Sequence, residues 1–153
     1  MVWHGPAMKT IKMVGVLVAA AVLLAVPASS ASADRYWNKA LKCDQTDMDG
    51  RDIPTRYGNG DLGWSHFSGK HNIKTCRVIN AALSGRVDVK HGGRLEYFGI
   101  ALDNNHRQVT IVVIAQYSRR TPDGEYDAGK GNKIGVITAY CKGTTKCPNW
   151  VNG

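Results

Sequence analysis

From residue 34 onward, the sequence lacks several patterns that would assign a function class directly. It has no apolar run approaching the ~20 residues that a membrane-spanning helix needs, so we expect this part of the chain to be soluble. The absence of a Cys-x-x-Cys pair argues against a common type of zinc site. The absence of a His-x-x-Glu-His motif, a paired-carboxylate set and a Gln-x-Glu signature argues against zinc hydrolases, carboxylate-pair catalysis and ADP-ribosyl transfer.

Long hydrophobic runs are confined to the first 33 residues. Lysines precede an apolar run over residues 13–26, and small residues follow at 31–33. This order is typical of a secretory signal peptide cleaved before Asp34. The alternative is a membrane anchor, but the run is short for a span and Pro27 closes it. No twin arginine precedes the run, so we predict a Sec-type signal peptide over residues 1–33 and a secreted protein.

Four cysteines lie beyond the predicted signal peptide. An even number in an exported chain favours two disulfides, for which three pairings are possible. We favour Cys43–Cys76 with Cys141–Cys147, because the second closes a short C-terminal loop and the first would staple the N-terminal segment to a helix. A zinc site formed by the same cysteines is the alternative.

Basic residues outnumber acidic ones. The chain has 20 Lys and Arg residues and 12 Asp and Glu residues. Two of the lysines lie in the predicted signal peptide, which leaves 18 basic residues and a net charge of +6. A basic secreted domain suits an anionic partner such as a nucleic acid, a cell-wall polymer or a membrane surface. Charge alone does not choose among these.

Residues 34–62 are polar, and we expect them to form an irregular N-terminal segment. Within RYWNKALKC (35–43), Trp37 and Leu41 have the spacing of a short helix. The stretch DQTDMDGRD (44–52) has the composition of a calcium-binding loop but breaks the EF-hand ligand pattern, so a turn-rich loop is expected. Glycines predict a further loop over 56–64.

Residues 63–153 predict one α+β domain. Ile73, Cys76, Ile79 and Leu83 recur at helical spacing, with Ser68 as a candidate N-cap and Gly85 just past the end. Period-two patterns then predict four strands, over 86–90, 94–102, 107–117 and 132–141. We therefore expect one main helix packed on an antiparallel sheet of about four strands, stapled by disulfides.

The stretch GWSHFSGKHNIK (63–74) concentrates two histidines and two lysines, His66, Lys70, His71 and Lys74. Two histidines can act as base and acid in one reaction, and lysines can stabilise a developing phosphorane charge. The expected helix start would add free backbone N–H groups for an anion. Cleavage of RNA needs this set and no metal. The alternative is an inert, exposed loop–helix junction.

The last predicted strand contains GVITAY (135–140). Alternation places Thr138 and Tyr140 on one face, so that two hydroxyls lie side by side. The alternative is that Tyr140 is a core aromatic and Thr138 an ordinary strand residue.

The order of these motifs resembles the small RNase toxin domains of bacterial polymorphic and contact-dependent inhibition systems, the barnase–EndoU–colicin–RelE (BECR) group. The matching pieces are GWSHFSGKHNI (63–73), VTIVVIAQY (109–117) and KIGVITAY (133–140). The resemblance covers residues 63–140. It departs from the family pattern in that the chain has its own signal peptide and four cysteines.

The resemblance implies a helix packed on a twisted antiparallel sheet and metal-independent RNA cleavage across the sheet face, with no cofactor. It carries catalytic roles to His66, His71, Thr138 and Tyr140, and we favour His71 as the essential histidine. It implies an antibacterial toxin with RNA as substrate and a cognate immunity protein as partner. One hypothesis accounts for both the signal peptide and the four cysteines. If the enzyme needs its disulfides for stability, it would stay inactive before export.

Further residues are candidates for substrate binding, namely Lys70, Lys74, Arg94 and Arg119. We expect His91 and His106 to be surface residues in turns. A non-enzymatic basic binding module for an anionic wall polymer or a protein partner is the main alternative to the ribonuclease, and it predicts that neither histidine matters. A secreted inhibitor or signalling protein, with the 117–131 loop as its contact, is a third possibility.

Overall fold

The computed structural model describes residues 35–153. The predicted signal peptide, residues 1–33, lies outside this range and stays a prediction. Among the described residues, no helix is both long and apolar enough to cross a membrane.

The chain first forms a two-stranded antiparallel hairpin of β1 (Asn38–Thr46) and β2 (Asp52–Gly58). The expectation of an irregular segment with a short helix was therefore wrong. The helical spacing of Trp37 and Leu41 was misleading because only Trp37 is buried, while Leu41 is 52% exposed. Pairing with β2, whose Ile53 and Thr55 are fully buried, decides the conformation instead.

Two short helices follow, α1 (Trp64–Lys70) and α2 (Cys76–Leu83). The single helix expected from near Ser68 is broken over residues 71–75, because Asn72 adopts a left-handed backbone conformation (φ 58°). Ile73 continues the apolar period and is fully buried, although it lies between the helices. A buried side chain outside a helix thus extended the apparent helical pattern.

Four strands complete the fold: β3 (Val89–His91), β4 (Arg94–Leu102), β5 (Gln108–Gln116) and β6 (Gly135–Cys141). They form one antiparallel sheet in the order β3-β4-β5-β6. The predicted α+β class and the four strands are confirmed, although β3 is shorter than expected. The β-branched β5 is central, which is where a strongly apolar strand is most stable.

The two faces of this sheet differ. Its inner face, including Leu95, Val113 and Ala139, packs against Phe67 of α1 and Ile79 of α2 in the main core. Cross-strand pairing puts the alternate residues on the opposite face. We call this the outer face; its members include Glu96, Phe98, Thr110, Val112, Ile114, Thr138 and Tyr140.

Both favoured disulfides are confirmed. Cys43 of β1 is joined to Cys76, the first residue of α2, and Cys141 at the end of β6 is joined to Cys147. No cysteine among the described residues is free, so the zinc alternative was wrong. The first bridge ties the hairpin to α2, and the second closes the loop after β6.

The β1–β2 turn is attached to the main sheet by one carboxylate. Buried Asp47 accepts hydrogen bonds from the amides of Asp49 and Arg51 (2.9 Å each), from Arg51 Nε (2.9 Å) and from the Tyr97 hydroxyl (2.8 Å). Burial acts to raise the pKa of this carboxyl, but the Arg51 amide, the Tyr97 hydroxyl and the Arg51 charge outweigh it and hold the pKa below its usual range. The turn is thus an anchor rather than a calcium loop.

Replacing Asp47 tests this anchor. Asp47→Asn leaves donors of Arg51 and Tyr97 facing an amide, so the free energy of unfolding at pH 7 should fall by about 1–3 kcal/mol. A lowered folded-state pKa gives stability that is present above the unfolded pKa and is lost as pH falls through the folded one. The loss of stability below about pH 4 should therefore be shallower in Asp47→Asn than in the wild type.

Urea unfolding between pH 7 and pH 2 measures both effects. Asp44→Asn, an exposed carboxylate in the same hairpin, is the matched control and should follow the wild type. Equal curves for Asp47→Asn and the control would contradict the anchor.

Candidate active site

The segment before α1 is attached to the free edge of β6. Gly63 N–H donates to the Ile137 carbonyl (2.8 Å), and β6 is an end strand of the sheet. Gly63 has φ 80°, and a Cβ at this position would lie 2.8 Å from the Arg56 carbonyl oxygen, so only glycine fits. This contact places His66, in α1, beside the part of β6 that carries Tyr140.

Three of the predicted catalytic side chains form one contiguous cluster. The ring centroids of His66 and His71 are 5.6 Å apart, and those of His71 and Tyr140 are 5.9 Å apart. All three side chains are half-buried. We call these residues the His–His–Tyr cluster; it lies where α1 meets the edge of the sheet.

The hydrogen bonds of the two histidines fix their tautomers. His66 Nδ1 lies 2.7 Å from the Gly60 carbonyl oxygen, and His71 Nδ1 lies 3.0 Å from the Thr145 carbonyl oxygen. A carbonyl only accepts, so each Nδ1 carries a proton. This leaves both Nε2 atoms for a substrate, as a base when the ring is neutral and as an acid when it is charged.

His71 is also held through its backbone. Its amide donates to the Phe67 carbonyl (2.9 Å), so His71 ends α1. Its carbonyl accepts from the Cys147 amide (2.9 Å), and Asn72 Nδ2 donates to the Cys147 carbonyl (2.8 Å). The same disulfide-closed loop therefore positions both the ring and the backbone of His71.

The expected contribution of a helix N-terminus was wrong. With Ser68 as the expected N-cap, His71 and Lys74 would lie in the first turns of the helix, but His71 lies at the C-terminal end of α1 and Lys74 lies before α2. His71 is therefore not surrounded by the free N–H groups of a helix start. The positive charge that would stabilise a bound anion at His71 must therefore come from side chains.

The predicted substrate-binding cations lie in different places. Lys70 is four residues after His66 in α1, so both project from the same side of that helix. Lys74 is exposed, and its amide donates to Asn152 Oδ1 (2.7 Å). Arg94 begins β4 on the outer face, whereas Arg119 is ion-paired with buried Asp127 (2.7 Å) in the loop before β6. Of the four predicted cations, Lys70 is the one that shares a helix with His66 and is next to His71 in sequence.

Thr138 lies on the same face of β6 as Tyr140, as predicted. Its Oγ1 is buried and makes no hydrogen bond to any described residue. His91 and His106 are exposed, as expected, although His91 is the last residue of β3 and not part of a turn. Within residues 35–153, His, Cys, Asp and Glu side chains form no group of three or more that could hold a metal ion.

Sequence reasoning missed two kinds of contributors. The Gly60 and Thr145 carbonyls orient the histidines, but they belong to loops whose positions no local pattern encodes. Glu96, Phe98 and Lys142 line a pocket with Tyr140, and this required the register between β4, β5 and β6. The alternation of RLEYFGIAL does place Glu96 and Phe98 on one face, and this was the usable signal.

Comparison of the chain with protein-family models, curated proteins and solved structures finds no match. Two imidazoles with free Nε2 atoms, a phenol hydroxyl and a nearby lysine can move protons to and from oxygen atoms of a bound anion.

The tautomers can be read directly. Long-range ¹H–¹⁵N NMR spectra should show protonated Nδ1 in the neutral forms of His66 and His71, because both face carbonyls. Replacing Cys141 and Cys147 by serine should abolish this preference in His71 but not in His66, whose partner Gly60 lies outside the bridged loop. Protonated Nε2 in wild-type His71, or equal effects on both histidines, would contradict the assignment.

Proposed function

We propose that this protein is an exported, metal-independent endoribonuclease in which His66 and His71 provide general acid–base catalysis. The observation that carries the proposal is the His–His–Tyr cluster, in which two imidazole rings lie 5.6 Å apart and each has its Nδ1 on a backbone carbonyl, which leaves its Nε2 for a substrate. The net positive charge of the chain beyond residue 33 supports a polyanionic substrate.

The reaction that suits this set is transfer of a phosphodiester to the neighbouring 2′-oxygen. The Nε2 of one histidine removes the 2′-hydroxyl proton, and the 2′-oxygen attacks phosphorus. The Nε2–H of the other histidine protonates the departing 5′-oxygen, leaving a 2′,3′-cyclic phosphate. The Tyr140 hydroxyl and the Lys70 ammonium donate to the phosphoryl oxygens as charge develops there.

His71 is the histidine on which we expect the reaction to depend most. Its ring and its backbone both form hydrogen bonds to the loop closed by Cys141–Cys147, whereas the His66 ring has its hydrogen bond to the Gly60 carbonyl, outside that loop. A better-fixed imidazole keeps its Nε2 aligned with the reacting oxygen more of the time.

Histidine substitution is the primary test. With the oxidised, exported protein, His66→Ala and His71→Ala should each lower the initial rate of RNA cleavage by roughly 10²- to 10⁴-fold, the contribution of one positioned acid or base. EDTA should leave the wild-type rate unchanged. His91→Ala, an exposed histidine at the end of β3, is the matched control and should cut RNA at the wild-type rate.

Circular dichroism establishes that each variant is folded. If the folded His66 and His71 variants cut RNA as fast as the control, the proposal is wrong and the basic binding module takes its place. Inhibition by EDTA would also overturn the proposal.

We further propose that export activates the enzyme. Both disulfides form in the folded chain, which fits an oxidising compartment, and one of them closes the loop that holds His71. Before export, a reduced chain would lack that constraint. Activation on export suits an antibacterial toxin whose producer has to avoid damage to its own RNA. A cognate immunity protein would protect the producer in the same way.

The two disulfides offer a matched pair of variants. Replacing Cys141 and Cys147 by serine should lower the cleavage rate per folded molecule roughly 100-fold, because His71 loses its support. Replacing Cys43 and Cys76 should lower the melting temperature but leave that rate within a factor of about two. Equal rates for both variants and the wild type would contradict the activation proposal.

A further inference from the structure

A pocket opens on the outer face of the sheet directly beside the His–His–Tyr cluster. It has a volume of ≈ 110 Å³ and shares Tyr140 with that cluster. The other side chains that line it come from three adjacent strands and the residue after β6, and they are Glu96, Phe98, Thr110, Val112 and Lys142.

The register of the strands gives the pocket two aromatic walls and an aliphatic floor. Phe98 pairs with Val112, and Val112 pairs with Tyr140, so the three side chains stand in one row on one face. Neighbouring strands are about 4.8 Å apart, which puts the aromatic residues about 10 Å apart across Val112. This separation admits one flat ring system between the two aromatic side chains.

Phe98 is held in place but left uncovered. Its amide donates to Asp88 Oδ2 (2.7 Å), while 45% of the residue is exposed. An exposed aromatic beside a half-buried tyrosine is a surface on which a nucleobase stacks.

The polar group in the next row is the Glu96 carboxylate. Glu96 pairs with Ile114 and Ile114 with Thr138, so the carboxylate stands at one end of the pocket. Arg94 Nε lies 3.2 Å from Glu96 Oε1, so a guanidinium donor lies next to the carboxylate. The carboxylate itself presents two acceptor oxygens side by side.

Guanine is the base whose edge complements a pair of acceptors, because its N1–H and N2–H donors are adjacent. Its Watson–Crick edge carries the O6 acceptor, the N1–H donor and the N2–H donor in sequence. Adenine and cytosine offer a carboxylate a donor beside a ring-nitrogen acceptor, and uracil offers one donor between two carbonyls that repel it. A carboxylate only accepts, so the match to guanine is the fullest.

We propose that the pocket bounded by Phe98, Tyr140 and Glu96 binds the guanine base of a nucleotide adjoining the phosphodiester that is cut. Glu96 is the specificity-determining residue, and Phe98 and Tyr140 stack on the base. Tyr140 connects this pocket to the acid–base pair, since its ring lies 5.9 Å from that of His71. The proposal rests on the proposed ribonuclease function and names its preferred sequence.

Binding of the four nucleoside 3′-monophosphates, measured by isothermal titration calorimetry, tests the pocket without requiring catalysis. Guanosine 3′-monophosphate should bind the oxidised protein at least tenfold more tightly than the other three, roughly the discrimination that a bidentate side-chain contact gives. Glu96→Gln should abolish the preference, whereas Glu125→Gln, a carboxylate in the loop before β6, should keep it. Phe98→Ala should weaken binding of all four.

Mapping the cut sites in an RNA of mixed sequence completes the experiment. Cleavage next to guanosine in the wild type, lost in Glu96→Gln, is the expected result. If all four nucleotides bind equally, or if Glu96→Gln keeps the preference, the guanine pocket is wrong even if RNA is cut. If guanosine 3′-monophosphate binds selectively but RNA stays intact, the pocket stands and the ribonuclease proposal fails.

Discussion

The His71 carbonyl accepts a hydrogen bond from the Cys147 amide (2.9 Å), and the geometry of the candidate site depends on that contact. Next to it, Asn72 Nδ2 donates a hydrogen bond to the Cys147 carbonyl, and Asn152 Nδ2 donates one to the Asn72 carbonyl (2.8 Å each). The left-handed turn at Asn72 is stabilised by these bonds, and it separates α1 from α2. Because Cys147 is bridged to Cys141 of β6, His71 is fixed relative to the strand that carries Tyr140.

The main sheet could be predicted from sequence because its signals are local. The alternation of RLEYFGIAL gave β4 with its bounds, and the β-branched run gave β5 as the central strand. The hairpin of β1 and β2 was missed, because exposed Leu41 and buried Trp37 imitate a helical period and the pairing partner lies elsewhere in the chain. The break at Asn72 was missed because its cause is a tertiary contact with the C-terminal segment.

At the candidate site, too, local signals could be predicted from sequence and tertiary contacts could not. His66, His71 and Tyr140 could be selected from motif order, and the structure brings their rings together. What orients them could not be read from the sequence, since the Gly60 and Thr145 carbonyls come from separate loops. The pocket beside Tyr140 depends on the registers of three strands, and a shift of one residue would have turned Glu96 toward the core.

In the proposed reaction, the His–His–Tyr cluster acts on the 2′-hydroxyl of RNA. The most direct measurement uses a DNA oligonucleotide that contains a single guanosine ribonucleotide, followed by analysis of both product ends. We expect one cut, on the 3′ side of that ribonucleotide, with a 2′,3′-cyclic phosphate on one fragment and a 5′-hydroxyl on the other. Cleavage of a control strand made only of DNA, or a 5′-phosphate at the cut, would contradict this mechanism, because neither outcome passes through attack by the 2′-oxygen.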